Sequence, residues 1–340
     1  MDPMLILVII IIFLALVFDF TNGFHDSANA IATVVSTKVL TPRQAVGFAA
    51  FFNFIAAFGF GVAVASTMSK IIHLNMVEVI LVPYIILGGL IGAISWNLIT
   101  WYLGLPTSSS HALIGGIMGS GISAAGLAVI KYETVELAAI FMFVSPIIGL
   151  IAGFLFMVAV LWICRRRSKS KIDQYFKKLQ LFSAGIYSFS HGTNDAQKTM
   201  GIITPLLFSI GYFGASVDPN NLPVPFWVIL SAHAAIALGT LAGGWRIVKT
   251  MGHRITKLRP VHGFAAETAG AATILGASIA GIPVSTTHVI STAIMGVGAT
   301  KRVSAVRWGI ARNILWVWIL TIPISALIGF VTFKVIELFL

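Results

Sequence analysis

Two stretches of the chain read almost alike: GLPTSSSH, Gly104–His111, and GIPVSTTH, Gly281–His288. Each runs glycine, aliphatic, proline, a spacer, three hydroxyl residues and histidine, and both sit in strongly apolar surroundings. A glycine allows a sharp turn. A proline fits the start of a new helix, where its missing N–H costs nothing. Ser and Thr at that start cap orphan N–H groups. A helix N-terminus carries free donors and a partial positive charge, which suits an anion. Adding Ser108, Ser109, Ser110, Ser285, Thr286 and Thr287 gives two cups of neutral donors, which suit an oxyanion that must leave again. His111 and His288 are expected to close the tips by hydrogen bonds.

Composition sets the class. Of 340 residues, 58% are hydrophobic and 10% charged, with a mean hydropathy of +0.96. A soluble domain carries about 25% charged residues. Repeated apolar runs of 18 or more residues predict an all-α polytopic membrane protein. The single cysteine, Cys164, excludes an internal disulfide. The N-terminal run lacks a basic region and a cleavage site, so it reads as a first membrane element. The net charge of +11 would suggest nucleic acid in a soluble protein. Here no nucleic acid is expected, because the charges sort by topology.

Loops rich in Lys and Arg stay cytoplasmic. The strongest cluster is RRRSKSKIDQYFKK, Arg165–Lys178. Placing it inside gives a layout: 4–37 crosses inward, 44–66 outward, 78–128 returns to the outside, and 134–163 crosses inward. In the second half 180–213 crosses outward, 225–246 inward, 258–300 returns to the inside, and 305–338 crosses outward. Lys70, Lys131 and Lys334 then lie outside, Lys198 and Arg312 fall within segments, and every other Lys and Arg is inside. Asp2, Glu78, Glu133, Glu136, Asp218 and Glu337 lie outside. Both termini are therefore predicted extracytoplasmic. The domains are repeat 1 (1–164), a basic linker (165–179) and repeat 2 (180–340).

The halves repeat with opposite orientation. NGFHDSANAIA (Asn22–Ala32) aligns with HGTNDAQKTMG (His191–Gly201) at an offset of 169, placing Asp26 on Asp195. Inverted repeats are typical of secondary transporters, whose sites lie near the midplane at discontinuous helices. Segments 4–37 and 180–213 would each span about 50 Å as unbroken helices, against a core of about 30 Å. A break is expected at each cluster of Gly, His, Asn and Asp. Segments 78–128 and 258–300 read as re-entrant hairpins with the proline–hydroxyl motif at the tip. Glycine pairs such as Gly88–Gly89, Gly115–Gly116 and Gly243–Gly244 read as close helix packing.

Intramembrane acids are costly and usually functional. They are Asp19, Asp26, Asp195 and Glu267. A hard monovalent cation takes carboxylate, amide and backbone oxygens, which Asp26 with Asn22 or Asn29, and Asp195 with Asn194, supply. Lys198, three residues after Asp195, either contacts substrate or neutralises that acid. Glu267 lies on the first arm of the second hairpin, where the first repeat has Leu90. The histidines show no HxxxH or HExxH spacing, so no metal beyond Na⁺ is expected.

GFHDSANAIATVV, SHGTNDAQKTMGI and the two proline–hydroxyl tips resemble the inorganic phosphate transporter (PiT) family over nearly the whole chain. The resemblance implies an inverted-repeat symporter for inorganic phosphate, coupled to Na⁺ or H⁺, with no bound cofactor. It carries Asp26, Asn29, Asn194, Asp195, Gln197, Lys198, the six tip hydroxyl residues and Glu267 into the site. A homodimer is an expectation by analogy. One departure is Asn53, where some relatives carry an acid. Other readings remain open at this point: a sulfate symporter, an intramembrane hydrolase using Ser109 or Ser285 with Asp and His, and a channel. Duplicated inverted motifs argue for transport over hydrolysis, which needs one asymmetric constellation.

Overall fold

The computed structural model describes residues 3–59, 61–214, 217–219 and 221–340. Asp2, assigned above to the outside, lies outside the described residues. Among these the fold is all-helical. The first half holds α1 (Pro3–Ser36), α2 (Pro42–Ile55), α3 (Ala63–Met68), α4 (Val82–Leu103), α5 (Ser109–Ala125) and α6 (Tyr132–Cys164). The second holds α7 (Lys169–Ser209), α8 (Phe226–Ala242), α9 (Trp245–Lys249), α10 (Pro260–Ile279), α11 (Thr286–Ala299) and α12 (Trp308–Glu337). The residues Val79–Leu103, α1, α6 and α12 are each long and apolar enough to cross a membrane. They leave Phe13, Ile147, Leu155, Trp316 and Leu327 exposed, as a lipid-facing surface requires. The chain is a multi-pass membrane protein.

The halves do not pack separately. Helix α5 lies along α12 and α11 along α6, while α1 packs on α8 and α7 on α2. The close crossings rest on glycine. A Cβ on Gly23 would sit 2.1 Å from the Ile236 carbonyl oxygen, and one on Gly192, 169 positions later, 2.6 Å from the Asn53 carbonyl oxygen. Gly116 meets the Gly89 carbonyl in the same way, at 2.3 Å, in line with the packing role expected of that pair.

Two expectations about chain breaks need correcting. Helices α1 and α7 run without interruption through their polar clusters. Gly23 and Gly192 serve close approach instead of a break, and the amide nitrogens of Asn29 and Asn194 find partners on other helices. The breaks fall one helix later. The chain leaves α2 at Ile55 and tightens into one turn that ends at Gly59, and α8 stops at Gly243 (φ +73°), where α8 and α9 meet at a 61° bend. The Gly244 N–H freed there donates to the Ser27 hydroxyl of α1. Gly243–Gly244 is thus a helix break, not simply a packing pair. Most of the basic linker, 165–179, is helical, because α7 begins at Lys169. Asp173 in its second turn accepts both bonds of a forked contact from Arg259 at 2.9 and 2.8 Å, tying it to the start of α10.

The hairpin regions form helix–turn–helix units, α4–α5 and α10–α11. Gly104 (φ +68°) and Gly281 (φ +70°) take the left-handed conformation that ends the first arm. Leu105 N–H bonds back to Thr100 O and Ile282 N–H to Ala277 O, each at 2.9 Å, the six-to-one closure of a helix C-terminus. Ser108 and Ser285 cap the second arms, accepting from the His111 and His288 N–H groups at 3.2 Å. Pro106 and Pro283 precede the caps in extended backbone, so they do not occupy the first helical turn as expected.

Candidate substrate and cation site

Asp26 sits in the middle of α1 and Asp195 in the middle of α7, 2% and 1% exposed. The α11 tip joins them. The Thr286 hydroxyl lies 3.4 Å from Asp26 Oδ2 and 3.2 Å from Asp195 Oδ2. Thr287 donates to Asp26 Oδ1 at 3.3 Å and accepts from Asn29 Nδ2 at 2.8 Å. The α5 tip reaches the same place through Lys198. Its buried ammonium donates to Asp195 at 2.5 Å, to the Ser110 hydroxyl, and to the Val284 carbonyl at 3.0 Å. Two carboxylates, one ammonium and the first turns of α5 and α11 thus share one buried cluster.

Two histidines complete it. His25 Nδ1 is 2.7 Å from Asp26 Oδ1, and its Nε2 lies 3.3 and 3.2 Å from the Thr100 and Thr107 hydroxyls. His191 Nε2 stands 3.2 Å from Asp195 Oδ2 and 4.0 Å from Asp26 Oδ2. Asn53 gives its Nδ2 to Thr240 at 2.9 Å, leaving its Oδ1 to face His191 Nδ1 at 3.2 Å. Asn53 thus holds the His191 ring from one side while its Nε2 edge faces the two carboxylates. Asp26, His191 and Asp195 each place a ligand atom within 4.8 Å of the others. This is the group able to hold a positive ion.

The remaining sequence-predicted residues are distributed. Ser109 is buried with a hydroxyl that has no partner among the described residues, as are the amide oxygens of Asn22, Asn29 and Asn194. Ser108 and Ser285 spend their hydroxyls as helix caps. Asn194 turns its amide nitrogen to Ser278 at 2.8 Å. Gln197 accepts from Val64 and Ala65 N–H at 2.8 and 3.2 Å, capping α3. It also lines a cavity of about 330 Å³ shared with Gly59, Val62, Thr193, Phe226 and His233. Glu267 forms a separate buried centre with Gln180 Nε2 at 2.9 Å and the Ser183 hydroxyl, while Thr37 donates to Gln180 Oε1 at 2.9 Å. Asp19 is fully buried in α1, seven residues before Asp26. His111 and His288 meet ring against ring at a tilt of 56°, and His288 stacks on Trp318. The two histidine centroids are 5.0 Å apart, and His288 lies 3.7 Å from Trp318, whose Nε1 donates to Pro106 O at 3.0 Å.

Sequence reasoning set His191 aside as a metal ligand and gave no site role to Asn53, Thr240 or Tyr187, whose phenol donates to Thr286 O at 3.3 Å. At the 169 offset His191 falls on Asn22 and His25 on Asn194. The histidines are out of register although each touches an aspartate. Asn53 carried a weak signal, as the one visible departure from the resembled pattern.

Comparison with known proteins places the chain in a family. Residues 22–329 match the model of the Phosphate transporter family. A Rhizobium meliloti protein named "Probable low-affinity inorganic phosphate transporter" is 52% identical over 94% of this chain and 93% of its own length. A Bacillus subtilis protein of the same name is 46% identical over 99% of both. A solved structure named "The sodium-dependent phosphate transporter" superposes with a TM-score of 0.88 at 27% identity, covering 98% of this chain and 100% of that one. These are transporters, not enzymes, which removes the hydrolase reading. On this evidence of matched sequence and fold, the chain belongs to the phosphate transporter family.

Proposed function

We propose that the protein is a symporter that moves inorganic phosphate with Na⁺ or H⁺ by alternating access. The observation that carries this reading is the meeting of Asp26 and Asp195 with two hydroxyl-rich helix starts in one buried cluster. The donors suit an oxyanion: the first-turn N–H groups of α5 and α11, with Ser109, Ser110, Thr286 and Thr287. Lys198 adds a charged donor. Asp26 and Asp195, with the amide oxygens of Asn22, Asn29 and Asn194, suit a hard cation. Cation binding offsets the repulsion between carboxylates and an entering anion, which is a physical reason for coupling. Glu267, held apart by Gln180 and Ser183, lies outside this cluster and tunes the response to the cation without carrying one.

The sequence repeat supports two inverted halves, with α4–α5 and α10–α11 as re-entrant hairpins. Hydrogen bonds from each tip run to the carboxylate-bearing helices, so shifting one hairpin against α1 and α7 would open the site to one side. The positive-inside pattern supports extracytoplasmic termini. The structural neighbour is named as sodium-dependent, which supports Na⁺ as the first cation to test. Asp26→Asn and Asp195→Asn should each abolish phosphate uptake while the protein still inserts and folds. Unchanged uptake by both variants would remove the carboxylates from coupling.

A further inference from the structure

We infer that Lys198 is a tethered cation that permanently fills one of two equivalent cation places, leaving a single mobile cation to be carried at Asp26. The inference rests on the symport reading above. The 169 offset that sets Asp26 on Asp195 also sets Asn29 on Lys198, and the 177 offset of the tips sets Ser110 on Thr287. The contacts follow the same correspondence. Asn29 Nδ2 reaches the Thr287 hydroxyl of the α11 tip, and Lys198 Nζ reaches the Ser110 hydroxyl of the α5 tip. Each is the residue three positions after an aspartate, and each bonds the last hydroxyl of the other half's tip. One is a neutral amide and the other an ammonium.

The surroundings differ to match. All three donors of the Lys198 ammonium are engaged, by Asp195, Ser110 and Val284 O, and the side chain is fully buried. It has no free donor with which to leave Asp195. Asp26 has no such partner. Its neighbours are His25, Thr286 and Thr287, with His191 Nε2 at 4.0 Å. Asn22 and Asn29 keep amide oxygens without hydrogen-bond partners among the described residues. A carboxylate with spare amide oxygens matches the ligand preference of a small hard cation. Asp195 has Lys198 as its counter-charge, no Lys or Arg pairs with Asp26 among the described residues, and a buried carboxylate demands a counter-charge. One mobile cation supplies it.

The test is the number of coupling cations carried per phosphate, read from reversal potentials in proteoliposomes under imposed Na⁺ and pH gradients. The wild type should carry one. Lys198→Asn, which recreates the Asn29 arrangement, should carry two and need more cation for half-maximal uptake. Asn29→Lys should carry none, so its phosphate uptake should lose its dependence on the cation gradient. Two cations in the wild type, or one in Lys198→Asn, would overturn the inference. So would a loss of uptake in Lys198→Asn that no cation concentration restores. If Lys198→Asn does not fold by size-exclusion and thermal melting, the wild-type ratio and Asn29→Lys decide. Absence of phosphate uptake by the wild type would instead refute the symport reading itself.

Discussion

Thr286 offers the sharpest perturbation of the site. Its hydroxyl stands 3.4 Å from Asp26 and 3.2 Å from Asp195, so one O–H serves two carboxylates on two helices. Thr286→Val keeps the branched shape and removes only that donor. A hydrogen bond to a charged group contributes about 1.5–3 kcal/mol. With about 1.4 kcal/mol per tenfold change, its loss should raise the KM for phosphate at fixed cation by roughly 10- to 150-fold. Thr286→Ser, which restores the hydroxyl, should recover most of the affinity. The assay is labelled phosphate uptake into proteoliposomes, with thermal melting to show that the variant is folded. A folded Thr286→Val protein whose KM stays within about twofold of the wild type would refute the bridging role, since that range lies below a single charged hydrogen bond.

Other perturbations address other links of the argument. Gly23→Ala drives a methyl into the Ile236 carbonyl at 2.1 Å, which should cost about 1–3 kcal/mol or more and lower the melting temperature. Gly47→Ala in α2, with nothing within 4 Å, should melt like the wild type. Asn53→Leu leaves His191 Nδ1 and the Thr240 hydroxyl without their partner. It should destabilise the protein by about 1–3 kcal/mol and weaken cation-dependent uptake, whereas Thr240→Val should affect mainly stability. Glu267→Gln should shift the cation dependence of uptake while leaving the phosphate KM at saturating cation within about threefold, because its hydrogen bonds do not reach the carboxylate pair; an unshifted cation dependence would make Glu267 purely structural.

The tips were readable because their chemistry is local. Gly104 and Gly281 need a left-handed backbone, and Ser108 and Ser285 cap a helix three residues on, so eight consecutive residues carry the whole motif. The aspartate pair was readable because an acid in an apolar run has few structural uses. The continuity of α1 was not. A glycine beside polar residues signals either a break or a close crossing, and only the carbonyl of Ile236, 213 positions away, decides between them. Amide nitrogens in the clusters that suggested a break are satisfied by residues far along the chain, Asn29 by Thr287 and Asn194 by Ser278. The same ambiguity at Gly243–Gly244 resolved the other way, into a bend. His191 was hidden because the repeat puts asparagine opposite it. Its closeness to both aspartates appears only when α1 and α7 are laid side by side.

The central claim is that the buried cluster couples phosphate movement to a cation gradient. The most direct test is labelled phosphate uptake into proteoliposomes holding the purified protein, under an imposed Na⁺ gradient or an imposed pH gradient. The account predicts transient accumulation of phosphate above equilibrium under at least one gradient, lost in Asp26→Asn. Uptake that only equilibrates phosphate, with no response to either gradient, would contradict it.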